Sequence, residues 1–188
     1  GVVNFLEKVT INGVIGQKAG ADDDMYWGGD DVLVLNATNT YTTPTVLRNT
    51  LTLEVNGSIA SSESLTVGSN TAVRGVGSVS AVTVENGGLI APGPTGGDTG
   101  TLSVTNDVVL ESGATLRLQI GDAADEASLL AIDGGKLDLS AGGAELRLVS
   151  NDGLDGIYLI AAFDDQGGHT YGSFAEVYLN DSTVEWDN

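Results

Sequence analysis

The sequence has no cysteine, few aromatic residues and few basic residues. Without cysteine the chain forms neither disulfide bonds nor a thiolate zinc site, and it has no cysteine nucleophile. Aromatic residues make up only 5% of the 188 residues. A core must therefore be filled mainly by Val, Leu, Ile and Ala, which suits a narrow interior built in repetitive layers.

Basic residues are outnumbered, with 7 Lys and Arg against 26 Asp and Glu and a formal net charge of -19. Such a charge repels phosphate backbones and anionic lipid, so we expect no nucleic-acid partner. It also keeps a protein soluble in salty water and attracts divalent cations. Both properties favour a place outside the cell.

Long apolar runs are also missing from the sequence. No stretch approaches the roughly 18 apolar residues that a membrane helix requires. No basic segment precedes an apolar one at the start of the sequence, as it would in a signal peptide. We therefore expect no direct membrane insertion, and an exported chain from which the signal peptide has been removed.

What the sequence does contain is many short strings in which apolar and small polar residues alternate, such as Leu65-Thr66-Val67 and Val82-Thr83-Val84. Almost every string is bounded by Gly, Asn, Asp or Ser, which favour turns. Alternation with a period of two is typical of strands. The chain is therefore predicted to be all-β.

Recurrence of these strings favours a stack of coils. Leu51, Leu65, Val82 and Leu102 begin comparable strings at spacings that are similar but uneven. Uneven coils of this size predict a parallel β-helix, or β-solenoid, with loops of variable length. An antiparallel β-sandwich is the alternative, because local alternation does not distinguish parallel from antiparallel pairing.

The N-terminal part breaks the pattern of alternation. Asp22-Asp23-Asp24 and the segment 25–29 (Met-Tyr-Trp-Gly-Gly) interrupt it. Residues 1–29 are therefore predicted to be a cap or arm, which could act as a donor strand. Residues 30–188 are predicted to be the β-solenoid body with a C-terminal closing coil.

Between about residues 64 and 120 the sequence resembles the autotransporter-associated β-strand repeat. In that family a glycine-rich coil, an Ala-Pro-Gly corner and a Gly-Thr-Leu strand follow one another. The matching segments here are Gly75–Val79, Val82–Gly93 with Ala91-Pro92-Gly93, Gly100-Thr101-Leu102 and Leu110–Leu116. Residues 156–160 and 172–177 are similar to the closing coil of such passenger domains. The resemblance implies a right-handed parallel β-helix at the surface of a bacterium or outside it, and no catalytic residues.

Catalytic residues are scarce. His169 is the sole histidine, and nothing near it resembles a nucleophile elbow, so a Ser-His-Asp triad is not expected. Polysaccharide lyase chemistry would need a basic residue near acidic ones, yet the basic residues occur singly along the chain. They are Lys8, Lys18, Arg48, Arg74, Arg117, Lys136 and Arg147. We therefore predict that the protein is not an enzyme, and a polysaccharide-active enzyme is the least favoured function.

Acidic clusters are candidate calcium sites, because Ca²⁺ takes six to eight oxygen ligands that Asp-rich loops can supply. The main candidate comprises Asp22, Asp23, Asp24, Asp30 and Asp31. Asn151-Asp152 with Asp155, and Asp164-Asp165, are weaker ones. None has the spacing of an EF-hand. The alternative interpretation is that these residues form solvated turns on an acidic surface.

Function follows from this fold as an expectation. The favoured hypothesis is an extracellular structural or surface protein whose copies associate into a fibre or surface layer, because stacked strands leave unpaired edges. Residues 2–11 are apolar enough to add a strand to a neighbour. The alternative is a glycan-binding or adhesive module, in which an exposed Trp27 or Trp186 stacks on a sugar ring.

Overall fold

The structure, a computed structural model, describes residues 2–5, 7–121, 126–150, 157–164 and 169–183, with residues 2–5 and 183 described in their backbone alone. These residues form strands, turns and loops without any helix, so the prediction of an all-β chain is confirmed. The strands are β1 (Val2–Phe5), β2 (Val9–Ile11), β3 (Met25–Gly29), β4 (Val32–Leu35), β5 (Thr45–Asn49), β6 (Thr52–Val55), β7 (Leu65–Val67), β8 (Ala72–Gly75), β9 (Ser78–Val79), β10 (Val82–Val84), β11 (Leu89–Pro92), β12 (Thr101–Thr105), β13 (Val108–Leu110), β14 (Thr115–Gln119), β15 (Leu129–Asp133), β16 (Leu137–Leu139), β17 (Glu145–Val149), β18 (Ala161–Phe163), β19 (Thr170–Gly172), β20 (Glu176–Leu179) and β21 (Ser182–Thr183).

The strands form three sheets. The first sheet has the order β1-β3-β5-β7-β10-β13-β16-β19, the second β2-β4-β6-β8-β11-β14-β17-β20-β21, and the third β18-β15-β12-β9. Among these strands every pairing is parallel except that of β20 with β21, which is antiparallel. The alternative of an antiparallel sandwich is therefore wrong for the part of the chain that the structure describes.

The chain enters the sheets in rotation. From β7 to β20 it places one strand in the first sheet, one in the second and one in the third before it returns to the first. We call each such circuit a coil. Coil length varies, because Leu65 pairs with Val82 in an early, short circuit, whereas Leu137 pairs with Thr170 in a much longer one. This arrangement is compatible with a parallel β-helix.

The recurrence predicted from the sequence was only partly right. Leu65 and Val82 are paired neighbours in the first sheet, as their spacing suggested. Leu51, however, immediately precedes β6 of the second sheet, and Leu102 lies in β12 of the third. The spacings from Leu51 to Leu65 and from Val82 to Leu102 therefore compared strands of different sheets. All three strands of a coil show the same alternation, so the pattern does not identify the sheet.

The core lies between the three sheets and is aliphatic. Strands with alternating burial direct every second side chain inwards, as Leu65 and Val67 of β7 do, both with no exposed surface. A few polar groups are buried where they find partners. The Thr45 hydroxyl lies 3.0 Å from the Tyr41 hydroxyl and 3.0 Å from the Ser62 hydroxyl. Burial raises the pKa of Tyr41, so this phenol stays neutral in the core.

The described part of residues 1–29 contributes three strands to the stack. Strands β1 and β2 are edge strands of the first and second sheets and pair with β3 and β4. Side-chain amides also connect the turns that follow β2, β4 and β6. Asn36 donates to Asn12 at 2.7 Å, and Asn56 donates to Asn36 at 3.2 Å. That the segment acts as a cap or donor strand stays a prediction.

Candidate functional site

The outer face of the second sheet carries a column of charged side chains. Leu116 and Leu118 of β14 point inwards with no exposed surface, so Arg117 between them points outwards. The strand register aligns it with residues of the neighbouring coils. Paired residues on this face are Glu54 with Arg74, Arg74 with Ala91, Arg117 with Arg147 and Arg147 with Tyr178. Continuing the pairing of Ile90 with Leu116 by one residue puts Ala91 beside Arg117. We call Arg74, Arg117 and Arg147 the arginine column.

Arg147 already has counter-ions. Its guanidinium donates to Glu145 Oε2 at 2.8 and 3.1 Å and to Asp181 Oδ1 at 3.1 Å. The same group lies 4.5 Å from the centre of the Tyr178 ring. The hydrogen bonds to Glu145 raise the pKa of Arg147 further. Its positive charge is therefore balanced by carboxylates of the chain itself.

Arg74 and Arg117 differ from Arg147, because neither forms an ion pair with a carboxylate in the residues that the structure describes. The Nε of Arg74 is buried and has no hydrogen-bond partner. Burial lowers the pKa of Arg74, and the positive charge of Arg117 lowers it further, while Glu54 acts in the opposite direction. Arg74 and Arg117 thus place two like charges on one face of the sheet, two strands apart.

Glu54, at one end of the column, holds a loop against the sheet. Its side chain is buried, and Oε2 accepts hydrogen bonds from the backbone N–H of Thr95, at 2.9 Å, and from the Thr95 hydroxyl. Oε1 accepts from the Asn56 side-chain amide at 3.0 Å. Burial alone would raise the pKa of Glu54, but the hydrogen bonds from Thr95 and Asn56 outweigh it and lower the pKa. Glu54 is therefore charged at neutral pH.

A cleft of about 270 Å³ lies beside the column. Gln119, which follows Leu118 on the same outward face of β14 as Arg117, lines it together with Asp98 and Glu126. The Thr99 hydroxyl donates to Glu126 Oε1 at 3.0 Å across the cleft. The outer face thus offers guanidinium donors and, next to them, amide and carboxylate groups that suit sugar hydroxyls.

The acidic residues predicted to bind calcium lie in two loops. Asp22, Asp23 and Asp24 precede β3, and Asp30 and Asp31 occupy the turn between β3 and β4. Three of these carboxylates accept local hydrogen bonds: from the Tyr26 hydroxyl at 2.9 Å, the Thr50 hydroxyl at 2.9 Å and the Val32 N–H at 2.8 Å. Within the described ranges no three acidic or histidine side chains are grouped to hold a metal. The calcium site stays a prediction.

We expect millimolar Ca²⁺ to raise the melting temperature more than NaCl of equal ionic strength does. Binding to the folded state alone would add about 2.7 kcal/mol at a hundredfold excess over the dissociation constant, whereas screening does not distinguish the two salts. The double substitution Asp23→Asn and Asp31→Asn should reduce the excess. Glu63→Gln with Glu111→Gln, both exposed, is the control for charge. Equal shifts of the melting temperature with both salts would mean that the acidic residues only form solvated turns.

Other predicted residues have different outcomes. Trp27 is only 4% exposed, so it does not present a ring to a sugar, and Trp186 lies outside the described residues. His169 is exposed, and its ring lies 4.4 Å from that of Tyr171. Of the weaker acidic clusters, Asp164 is the last residue of the described range 157–164. Residues 151, 152, 155 and 165 lie outside the described residues.

The arginine column is not evident from the sequence, in which the basic residues occur singly. In sequence, Arg74, Arg117 and Arg147 are far apart and unevenly spaced. The register nevertheless brings them to one face. One signal was present, because Leu116-Arg117-Leu118 and Leu146-Arg147-Leu148 repeat the same tripeptide, which puts both arginines opposite buried leucines.

No family model matches the chain, and no curated protein matches it. The resemblance of residues 64–120 to the autotransporter-associated repeat therefore stays a prediction. Among the described residues there is no helix of the length and hydrophobicity that crossing a membrane requires.

Proposed function

We propose that the chain is a right-handed parallel β-helix that serves as an extracellular structural or surface protein of a bacterium, with copies associating through the ends of the stack. The observation that carries the proposal is the parallel stacking of strands in three sheets. A parallel stack ends in strands with free backbone groups, which another strand can extend in the same register.

The two ends of the stack differ. At one end β1 and β2 are edge strands, and at the other end β19 and β18 are the edge strands of the first and third sheets. In the second sheet the antiparallel strand β21 pairs with the outer side of β20. Contact between unlike ends is a head-to-tail contact, which yields a filament when the rotation between copies does not close a ring.

Strand β2 shows which backbone groups face the edge. The carbonyl of Ile11 accepts from the N–H of Asn36 at 3.0 Å, so Ile11 directs its backbone groups towards β4. Consecutive residues of a strand direct these groups to opposite sides. Thr10 therefore directs its N–H away from β4, and its side chain is exposed.

We expect Thr10→Pro to weaken self-association at least tenfold, because proline removes the N–H at the edge without removing a bond to β4. Thr10→Val, which keeps the N–H and favours a strand, is the control and should associate like the parent chain. Light scattering and sedimentation of the three chains would measure the difference. Equal association of Thr10→Pro, or a parent chain that stays monomeric at high concentration, would contradict the proposal.

A glycan-binding module is the second candidate, which the arginine column favours. It places three of the seven basic residues on one outer face of a chain with 26 acidic residues. Association through the ends of the stack leaves this face open, so the two functions are compatible.

A further inference from the structure

Two guanidinium groups that form no ion pair with a described carboxylate are unexpected on so acidic a chain, although Glu54 lies on the strand next to Arg74. Arg74 and Arg117 lie on the same outward column with Ala91 on the strand between them, two strand spacings or about 10 Å apart at their Cα atoms. No described carboxylate pairs with either of them. An oxyanion placed between them would relieve their mutual repulsion.

Guanidinium groups suit particular anions. The planar fork of an arginine donates two parallel hydrogen bonds to a carboxylate or to a sulfate, and such charge-assisted bonds are stronger than neutral ones. The column therefore fits one oxyanion group better than a neutral ligand.

The residues that line the cleft next to Arg117 restrict which anionic ligands fit. Asp98 and Glu126 accept hydrogen bonds but repel anions, and the Gln119 amide both donates and accepts. A ligand with closely spaced phosphates would meet these carboxylates and the net charge of -19. A sugar that bears one acidic group and several hydroxyls satisfies both parts of the face.

We propose that the arginine column and the adjoining cleft bind an acidic sugar unit of a glycan. Arg74 and Arg117 hold its carboxylate or sulfate, while Gln119, Asp98 and Glu126 hold its hydroxyl groups. The inference rests on the glycan-binding candidate and not on self-association, because one copy of the chain carries every residue involved.

The test compares ligands that differ in the acidic or neutral group at C6 of the sugar. Isothermal titration calorimetry on the full chain would use an oligosaccharide containing glucuronic acid, its glucose counterpart of equal length and the 6-sulfated counterpart. We expect at least one of the acidic ligands to bind at least tenfold more tightly than the neutral one, and which of the two binds identifies the anion as carboxylate or sulfate. Measuring in the Thr10→Pro background keeps the result independent of self-association.

Substitutions then locate the site. Arg117→Gln should lose at least tenfold in affinity for the acidic ligand, and Arg117→Lys should lose less, because it keeps the charge without the fork. Arg48→Gln is the matched control, since Arg48 lies on the first sheet, 4.4 Å from the Tyr26 ring, and its loss changes the net charge equally. Circular dichroism would verify that each variant is folded.

Three results would overturn the proposal. The first is that all three oligosaccharides bind equally or that none binds at millimolar concentration. The second is that Arg48→Gln weakens binding as much as Arg117→Gln, which would indicate general charge attraction. The third is that a short glutamate peptide of the same charge binds as tightly as the acidic glycan, since the cleft would then contribute no sugar recognition.

Discussion

Gly75→Ala is expected to remove most of the stability of the fold. Gly75 ends β8 with φ at +120°, and a Cβ there would lie 2.0 Å from the carbonyl oxygen of Val55 on the neighbouring strand. The obstacle is backbone, so relief requires β6 and β8 to separate. Since whole domains are stable by only about 5–15 kcal/mol, this clash should be a large fraction of the total. Thermal and urea unfolding would measure it.

Two other glycines separate the causes. Gly134 has φ at +74° with nothing within 4 Å of an added Cβ, so Gly134→Ala should cost only about 1–2 kcal/mol of backbone strain. Gly13 also has open space and no positive φ, so Gly13→Ala should change stability little or raise it by about 0.4–1 kcal/mol. If Gly75→Ala and Gly134→Ala have the same melting temperature, the close approach of β6 and β8 at Gly75 is contradicted.

Glu54→Leu is expected to destabilise the protein by about 3 kcal/mol, at the upper end of the cost of leaving buried groups without partners. The substitution leaves the Thr95 N–H and hydroxyl without their acceptor and removes a negative charge near Arg74. Glu54→Gln keeps an accepting oxygen of the same shape, so it should cost less, about 1 kcal/mol. Urea unfolding at pH 7 would rank the two variants, and equal losses would contradict the role of the acceptor.

Acid should remove the difference between the parent chain and Glu54→Gln. The folded-state pKa of Glu54 lies below its ordinary value of 4.5, so the charged form stabilises the fold above that pH. That contribution is lost as the pH falls through the lowered folded-state pKa. The free-energy difference between the two chains should thus be constant from pH 7 to about 5 and shrink below about 4.5. A difference that does not shrink as the pH falls below about 4.5 would contradict this assignment.

The strands themselves could be predicted from the sequence, because alternation leaves a local signal. Leu65–Val67 and Val82–Val84 have the bounds that the alternating strings suggested. The sheet to which each strand belongs could not be predicted. Leu51-Thr52-Leu53, which leads into β6 of the second sheet, has the same alternating pattern as strands of the first sheet. Only the register between coils distinguishes them, and the length of the intervening loops hides it.

The candidate site was harder to predict for the same reason. Arg74 and Arg117 lie on one face because the register of the intervening strand β11 aligns β8 with β14. A fixed period would have revealed the column, but the successive coils between Leu65 and Leu137 all differ in length. The contact between Glu54 and Thr95 likewise joins segments distant in sequence and has no local signature.

That contact between Glu54 and Thr95 has a consequence for cooperativity. In a stacked repeat each coil normally contacts only its neighbours, so unfolding can proceed one coil at a time from an end. Thr95 follows β11, while Glu54 lies on β6, and β8 is between them in the sheet. Strands β6, β8 and β11 are therefore coupled beyond nearest neighbours, and fraying that reaches this block must break it as a unit.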